Sequence, residues 1–266
     1  MSTRPDLLRF PGTGAIALAT LLYLYLPIVV VVALSFNAGP MITIWSGFST
    51  EWYGAALGSE SVRQALANSV MIALVAMCGG TIAATLAALA LSGNARVALG
   101  RRAEIAERMI GLPLVVPEIA GAVALLMTLV LVGVPLGLPG LMAAHTVIAI
   151  PFAYLPIRAR LHDLDPALAE AAADLYANPW ESFRRVTLPL IWPGVLGGAM
   201  LAFVVSLGDF TFSFFLSAPG TTTLPVYIFG LIRTGLTPAV NAISTMLLFT
   251  SITILVVSQR LTRAKS

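Results

Sequence analysis

The sequence predicts an all-α membrane protein with six membrane-spanning helices, and three observations carry that prediction. Of its 266 residues, 58% are hydrophobic and 10% are charged, against about 25% charged in soluble domains, so too little charge is present to cover a water-soluble globule. Charge is also missing over long stretches, with none between Arg9 and Glu51. The basic residues cluster between the apolar runs rather than inside them. An ordinary soluble enzyme is excluded. Cys78 stands alone, so neither a disulfide framework nor a paired-thiol metal site is expected.

Residues 15–36 are almost wholly apolar. At about 1.5 Å per residue they can cross a hydrocarbon core of about 30 Å. They exceed the apolar core of a signal peptide and lack a clear small-x-small cleavage site, so they read as a retained span. Further spans are expected at 67–91, 109–132, 141–156, 190–214 and 239–257. Pro117, Pro151 and Pro193 fall in or near them, where membrane helices accept kinks if neighbours re-satisfy the backbone. Residues 225–233 are apolar but too short to cross, which suggests an interfacial or re-entrant piece on the outer side. Gly80, Ala84 and Ala88, then Gly194, Gly198, Ala202 and Ser206, recur at four-residue spacing and predict close helix packing. The whole chain, 1–266, reads as one membrane domain.

Six crossings put both termini on one side. With that side cytoplasmic, Arg4, Arg9, Arg96, Arg101, Arg102, Arg108, Arg158, Arg160, Arg184, Arg185, Arg260, Arg263 and Lys265 all lie inside, leaving Arg63 and Arg233 outside. The positive-inside rule favours this orientation. The basic clusters therefore need no nucleic acid to explain them.

One polar interruption, at 158–189, is ordered by local rules. Asp165 before Pro166 is a helix N-cap with proline at the first helical position. A short helix should run from Ala167 to Leu175 and stop at Asn178 and Pro179, because a residue before proline avoids the helical region. Trp180, Phe183 and Val186 then make an amphipathic turn. Pattern alone leaves two readings open: a surface helix on lipid headgroups, or a docking knob for a soluble partner.

Glu170-Ala171-Ala172, then Tyr176, then Val186-Thr187-Leu188-Pro189 resemble the cytoplasmic signature of binding-protein-dependent ABC importer permeases: Glu-Ala-Ala, three residues, Gly, nine residues, Ile-x-Leu-Pro. Tyr176 stands where that family usually has Gly, which would allow a left-handed turn at low cost. Trp52-Tyr53, Asn68-Ser69, the run from Pro113 to Glu118, Ser206 to Phe210, Ser213 to Phe215, Thr223 to Pro225 and Pro238 to Ala242 are similar to the spermidine/putrescine branch. The resemblance implies the type I importer fold, with six transmembrane helices and a cytoplasmic coupling helix, in a bacterial inner membrane. It further implies a second permease, an ATPase dimer carrying ATP and Mg, an extracytoplasmic binding protein, and no cofactor on this chain. In that setting Glu170 supplies a polar contact to the ATPase, Ala171, Ala172 and Leu175 a close-packed face, and Tyr176, Leu188 and Pro189 the rest of the docking signature.

The chain's one lysine, Lys265, lies in no phosphate-cradling Gly-rich loop, so ATP hydrolysis is expected on another polypeptide. His145 and His162 lack metalloprotease spacing. His145 is expected to pack between helices, and His162 to sit in a loop. Glu118 and Asp209 are more informative, since a carboxylate at a span's centre costs about 2.5–3.5 kcal/mol and is tolerated mainly facing protein or water. Asp209 is expected to share one helical face with Ser206 and Ser213. The expectation is a path lined by these residues and shared with the second permease. A small cationic substrate there would pair with the acids, and Phe210 and Phe214 would add cation–π attraction. Importers of opines, amino acids or iron share this architecture, and an ion-coupled secondary transporter is a further rival. A membrane-embedded enzyme finds no nucleophile, metal site or acid/base pair here.

Overall fold

The computed structural model describes residues 12–263 apart from 43, 166 and 236. Arg4, Arg9, Pro166 and Lys265, used above, lie outside these residues, and so does the side chain of Glu170. The described residues are helical, with one isolated bridge between Asn37 and Phe48. In order the helices are α1 Thr13–Leu34, α2 Glu51–Gly58, α3 Glu60–Ala90, α4 Gly93–Leu99, α5 Arg101–Gly111, α6 Glu118–Val132 and α7 Leu138–His162. They continue as α8 Ala167–Asp174, α9 Pro179–Ser182, α10 Leu188–Gly208, α11 Thr211–Leu216, α12 Leu224–Thr234 and α13 Pro238–Arg263. The chain forms two compact units, Met1–Ser59 with Gly230–Met246, and Glu60–Phe229 with Leu247–Ser266.

In the first unit, α1 is apolar on every side and buries none of its residues. The loop after it is organised by Asn37, whose Nδ2 donates to the carbonyls of Met41 (2.9 Å) and Ile44 (2.8 Å). Its Oδ1 accepts the Ser46 N–H at 2.8 Å, and its own carbonyl accepts the Trp52 indole N–H at 3.0 Å. A buried amide with both ends satisfied stiffens the loop that carries it.

The second unit is built on α3, α7 and α10. The small-residue stripes meet the neighbouring backbone as expected. A Cβ at Gly80 would lie 2.9 Å from the Cβ of Ala149, and one at Gly198 would lie 2.6 Å from the Ala153 carbonyl oxygen. Ala76, Ala84, Ala88, Ala149, Ala153 and Ala202 fill the space between. A second cluster of Ile72, Leu129, Leu141, Ala144 and Leu216 brings α6 and α11 onto this core.

Among the described residues five helices are long and apolar enough to cross a membrane, and a bent pair makes up to a sixth if its two arms count as one span. The span expected at 109–132 is that pair, Arg101–Leu114 and Glu118–Val132, bent by 110°. Pro117 explains the break, because it removes a backbone donor, keeps the residue before it from the helical region and itself sits at φ −54° and ψ 130°, whereas Pro113 lies within the first arm. The span expected at 141–156 extends to Leu138–His162, carrying Pro151 and Pro156 inside it. The span expected at 190–214 stops at Gly208, and its start moves back, because α9, a five-residue π turn at Phe183–Thr187 and α10 form one 30-residue helix. The polar interruption therefore shortens to 163–178. Helix α12, at 11 residues, is too short to span.

Candidate translocation site and coupling segment

Both acids singled out in the sequence sit where a helix breaks. Asp209 follows the end of α10, and its Oδ2 accepts the Ser213 N–H at 2.9 Å while Oδ1 accepts the Phe212 N–H at 3.4 Å. These are the otherwise unpaired first donors of α11, so the carboxylate caps that helix. Glu118 opens α6, and its Oε2 accepts the Thr211 hydroxyl at 3.1 Å. Negative charge at a helix N-terminus is favoured by the backbone dipoles, which offsets part of the cost of an acid in an apolar setting.

Because the chain breaks at Asp209, the expected single face of Ser206, Asp209 and Ser213 does not exist as a helical stripe. The three residues meet instead on His145 of α7. Its Nδ1 lies 2.8 Å from Ser206 Oγ, and its Nε2 lies 3.2 Å from Ser213 Oγ and 3.5 Å from Asp209 Oδ2. His145 is wholly buried. It was expected only to pack between helices, yet it joins every member of the group. The signal for it was available: a histidine inside an apolar span needs polar partners, and Ser206, Asp209 and Ser213 were the polar residues at hand.

Glu118 and Asp209 open onto one cavity of about 350 Å³, with Thr128 as a further polar group and Leu125, Ile148 and Phe212 among its apolar walls. Its size and lining suit a small ligand held by few polar contacts. Phe210 and Phe214 are not among the walls; they stack on each other (5.4 Å between ring centroids) and on Phe229 (4.8 and 5.9 Å). Asn68 and Ser69 prove to be tethers. Asn68 Nδ2 donates to the carbonyls of Gly220 (3.1 Å) and Thr222 (3.0 Å), and Ser69 Oγ accepts the Leu224 N–H at 2.7 Å, fixing the start of α12. Among the described residues no three His, Cys, Asp or Glu side chains gather as a metal would require.

The coupling segment is shaped by caps. Asp165 Oδ1 accepts the Ala167 N–H at 2.9 Å and starts α8, the helix that holds Glu170. It ends with Tyr176 at φ 59° while the Ala177 N–H donates to the Ala172 carbonyl at 3.0 Å. That is the left-handed closure for which glycine is usual, and tyrosine adopts it here. Ala172 is buried within the chain, Ala171 is exposed, and Leu175 and Tyr176 are 82% and 97% exposed. Asn178 and Glu181 form a reciprocal capping box at the start of α9. Leu188, half-buried, and Pro189, exposed, open α10. Arg160 Nε donates to the Leu190 carbonyl at 3.2 Å, joining the end of α7 to the start of α10. Glu107 joins Arg96 (2.6 Å) and Arg158 (3.0 Å), tying α4 and α5 to α7.

No family model matches the sequence. Curated relatives do. The chain is 35% identical over 248 residues to the putrescine transport system permease protein PotI of Escherichia coli, spanning 91% of this chain and 87% of that one. It is 36% identical over 241 residues to the spermidine/putrescine transport system permease protein PotC of Haemophilus influenzae, spanning 91% and 92%. Among solved structures, the MetNI methionine ABC transporter in inward-facing conformations superposes with a TM-score of 0.64 at 21% identity, over 78% of this chain and 99% of that chain. A bacterial ABC transporter involved in import of the polysaccharide alginate superposes at 0.69 with 16% identity, over 94% of each chain. At such identities these two speak for the fold alone. These permease relatives and the several apolar helices together make this a multi-pass inner-membrane protein. On the identity and coverage of its relatives, the chain belongs to the ABC transporter permeases, in the branch of the putrescine and spermidine/putrescine permeases.

Proposed function

We propose that this chain, paired with a second permease, forms the path by which a polyamine such as putrescine enters the cell, driven by a partner ATPase dimer and supplied by an extracytoplasmic binding protein. The observation that carries the reading is the cavity on which Glu118 and Asp209 both open. Two carboxylates suit the ammonium groups of a polyamine, and the apolar walls suit its methylene chain. Backbone and hydroxyl donors already hold both acids in place, so little reorganisation is needed when a cation arrives. Phe210 and Phe214 stack with Phe229 away from the cavity walls, so any cation–π contribution there would come from the partner.

With the termini and α8 in the cytoplasm, as the arginine distribution favours, the ATPase reaches Glu170, Ala171, Leu175 and Tyr176. ATP and Mg are bound and used on that partner. Closure of the ATPase moves α8, and α7 and α10 carry the motion inward as one body, because at Gly194 and Gly198 they touch without an intervening side chain. Transport follows only if the ATPase grips α8 better in one of its two states.

The test is uptake of labelled putrescine by the complete transporter in proteoliposomes. Asp209→Asn should lower uptake about tenfold, the scale of a lost charge-assisted contact, with assembly intact. Unchanged uptake kinetics would remove Asp209 from the path. Uptake of an amino acid but not of putrescine would keep the permease and replace the substrate.

A further inference from the structure

We infer that His145 is a positioning residue: it aims the Asp209 carboxylate at the cavity by pinning α7 to both sides of the break between α10 and α11. This rests on the reading of Asp209 as a path residue. The ring's three partners come from three different places: the last turn of α10 (Ser206), the break itself (Asp209) and the body of α11 (Ser213). One side chain thus spans a joint that no helical hydrogen-bond ladder crosses.

Nothing covalent dictates this joint. The sequence from Leu207 to Leu216 contains no proline, and Gly208 leaves the backbone permissive. The angle of α11 is therefore set by side chains. The carboxylate favours the ring hydrogen on Nε2, which leaves Nδ1 to accept from the Ser206 hydroxyl. Oδ2 accepts the Ser213 N–H and lies 3.5 Å from the ring nitrogen, an electrostatic contact longer than a hydrogen bond, whereas Oδ1 has only the 3.4 Å bond from Phe212 N–H. Oδ1 keeps acceptor capacity for a cation in the cavity that Asp209 lines.

The position of α7 gives the arrangement its consequence. The same helix that carries His145 touches α10 backbone to backbone at Ala153 and leads, through Arg160, to the start of the coupling segment. A shift of α7 relative to α11 must stretch the His145 contacts, together with the bond from Gly137 N–H to the Leu216 carbonyl at the far end of α11. Aim of the carboxylate and position of the coupling stem are thereby one variable.

A double-mutant cycle on the complete transporter, read by the KM and maximum rate of labelled putrescine uptake, tests this. His145→Leu should raise KM about tenfold, and His145→Gln, which keeps hydrogen-bonding atoms, should recover part of that. His145→Leu with Asp209→Asn should be no worse than Asp209→Asn alone, since the histidine acts through the carboxylate. Two results would overturn the inference and leave the path reading standing: His145→Leu lowers only the maximum rate, or its effect multiplies with that of Asp209→Asn. Normal uptake by Asp209→Asn would overturn both. If His145→Leu fails to assemble, His145→Gln carries the same cycle with the same outcomes.

Discussion

The break between α5 and α6 and the break between α10 and α11 look alike and are made differently. Each ends one helix and starts another with an acid at its first turn, Glu118 in one case and Asp209 just ahead of the other. Pro117 marks the first, a 110° bend at a residue whose φ the ring fixes and whose predecessor it keeps from the helical region. Side-chain hydrogen bonds to His145 and to the α11 backbone hold the second, each worth about 1 kcal/mol net. A transporter that must change shape needs both kinds. The proline bend is suited to anchor one wall of the cavity, and the hydrogen-bonded joint is suited to move the other.

Three substitutions separate the anchor from the joint, taken from the largest expected effect to the smallest. Gly198→Ala sets a methyl 2.6 Å from the Ala153 carbonyl oxygen, which is backbone and cannot swing aside. It should cost up to about 3 kcal/mol by overpacking. By parting α7 from α10 it should speed amide exchange across 209–216 while 112–118 stays as it was. Equal acceleration in both segments would mean that the two breaks share one support. Ser206→Ala leaves His145 Nδ1 without its partner and should lower stability by about 1–2 kcal/mol. Its exchange signature should be confined to the joint, and thermal unfolding in detergent gives the magnitude. Pro117→Ala should change stability by less than about 1 kcal/mol, since alanine can adopt the φ of −54° and ψ of 130° found there. Spin labels on α5 and α6 that move apart in this variant would show the first break to be as soft as the second.

The same contrast explains what could be read in the sequence. Apolar runs of span length and small residues at four-residue spacing are properties of one helix, so the α3, α7 and α10 packing was legible. So was the cap at Asp165, decided within a few residues, whereas Asn178 was read as the stop of α8 and not as the capping box that opens α9. Pro117 was noticed as a kink, but the 110° turn made there was not drawn from it. The break at Asp209 was hidden, because no proline marks it, a lone Gly208 is tolerated within a helix, and the partner that holds it, His145, lies far away in sequence. Periodicity continued Ser206, Asp209 and Ser213 along a helix that tertiary contacts had ended. Glu118 and Asp209 were found as costly acids, while Phe210 and Phe214 were chosen by adjacency and lie in an aromatic stack of their own.

Tyr176 has a consequence for which partners this chain can be exchanged among. In the left-handed conformation a residue other than glycine carries a penalty of about 1–2 kcal/mol, and a ring that is 97% exposed recovers little of it from its own chain. The phenol also projects from the turn by the full length of its ring, where a glycine-bearing signature would be flush. An ATPase cleft shaped around the flush form would have no room for it. Swapping ATPases between this transporter and one with glycine at the corresponding turn should therefore be one-directional: the cleft that accommodates tyrosine accepts the smaller signature, and the reverse pairing is blocked.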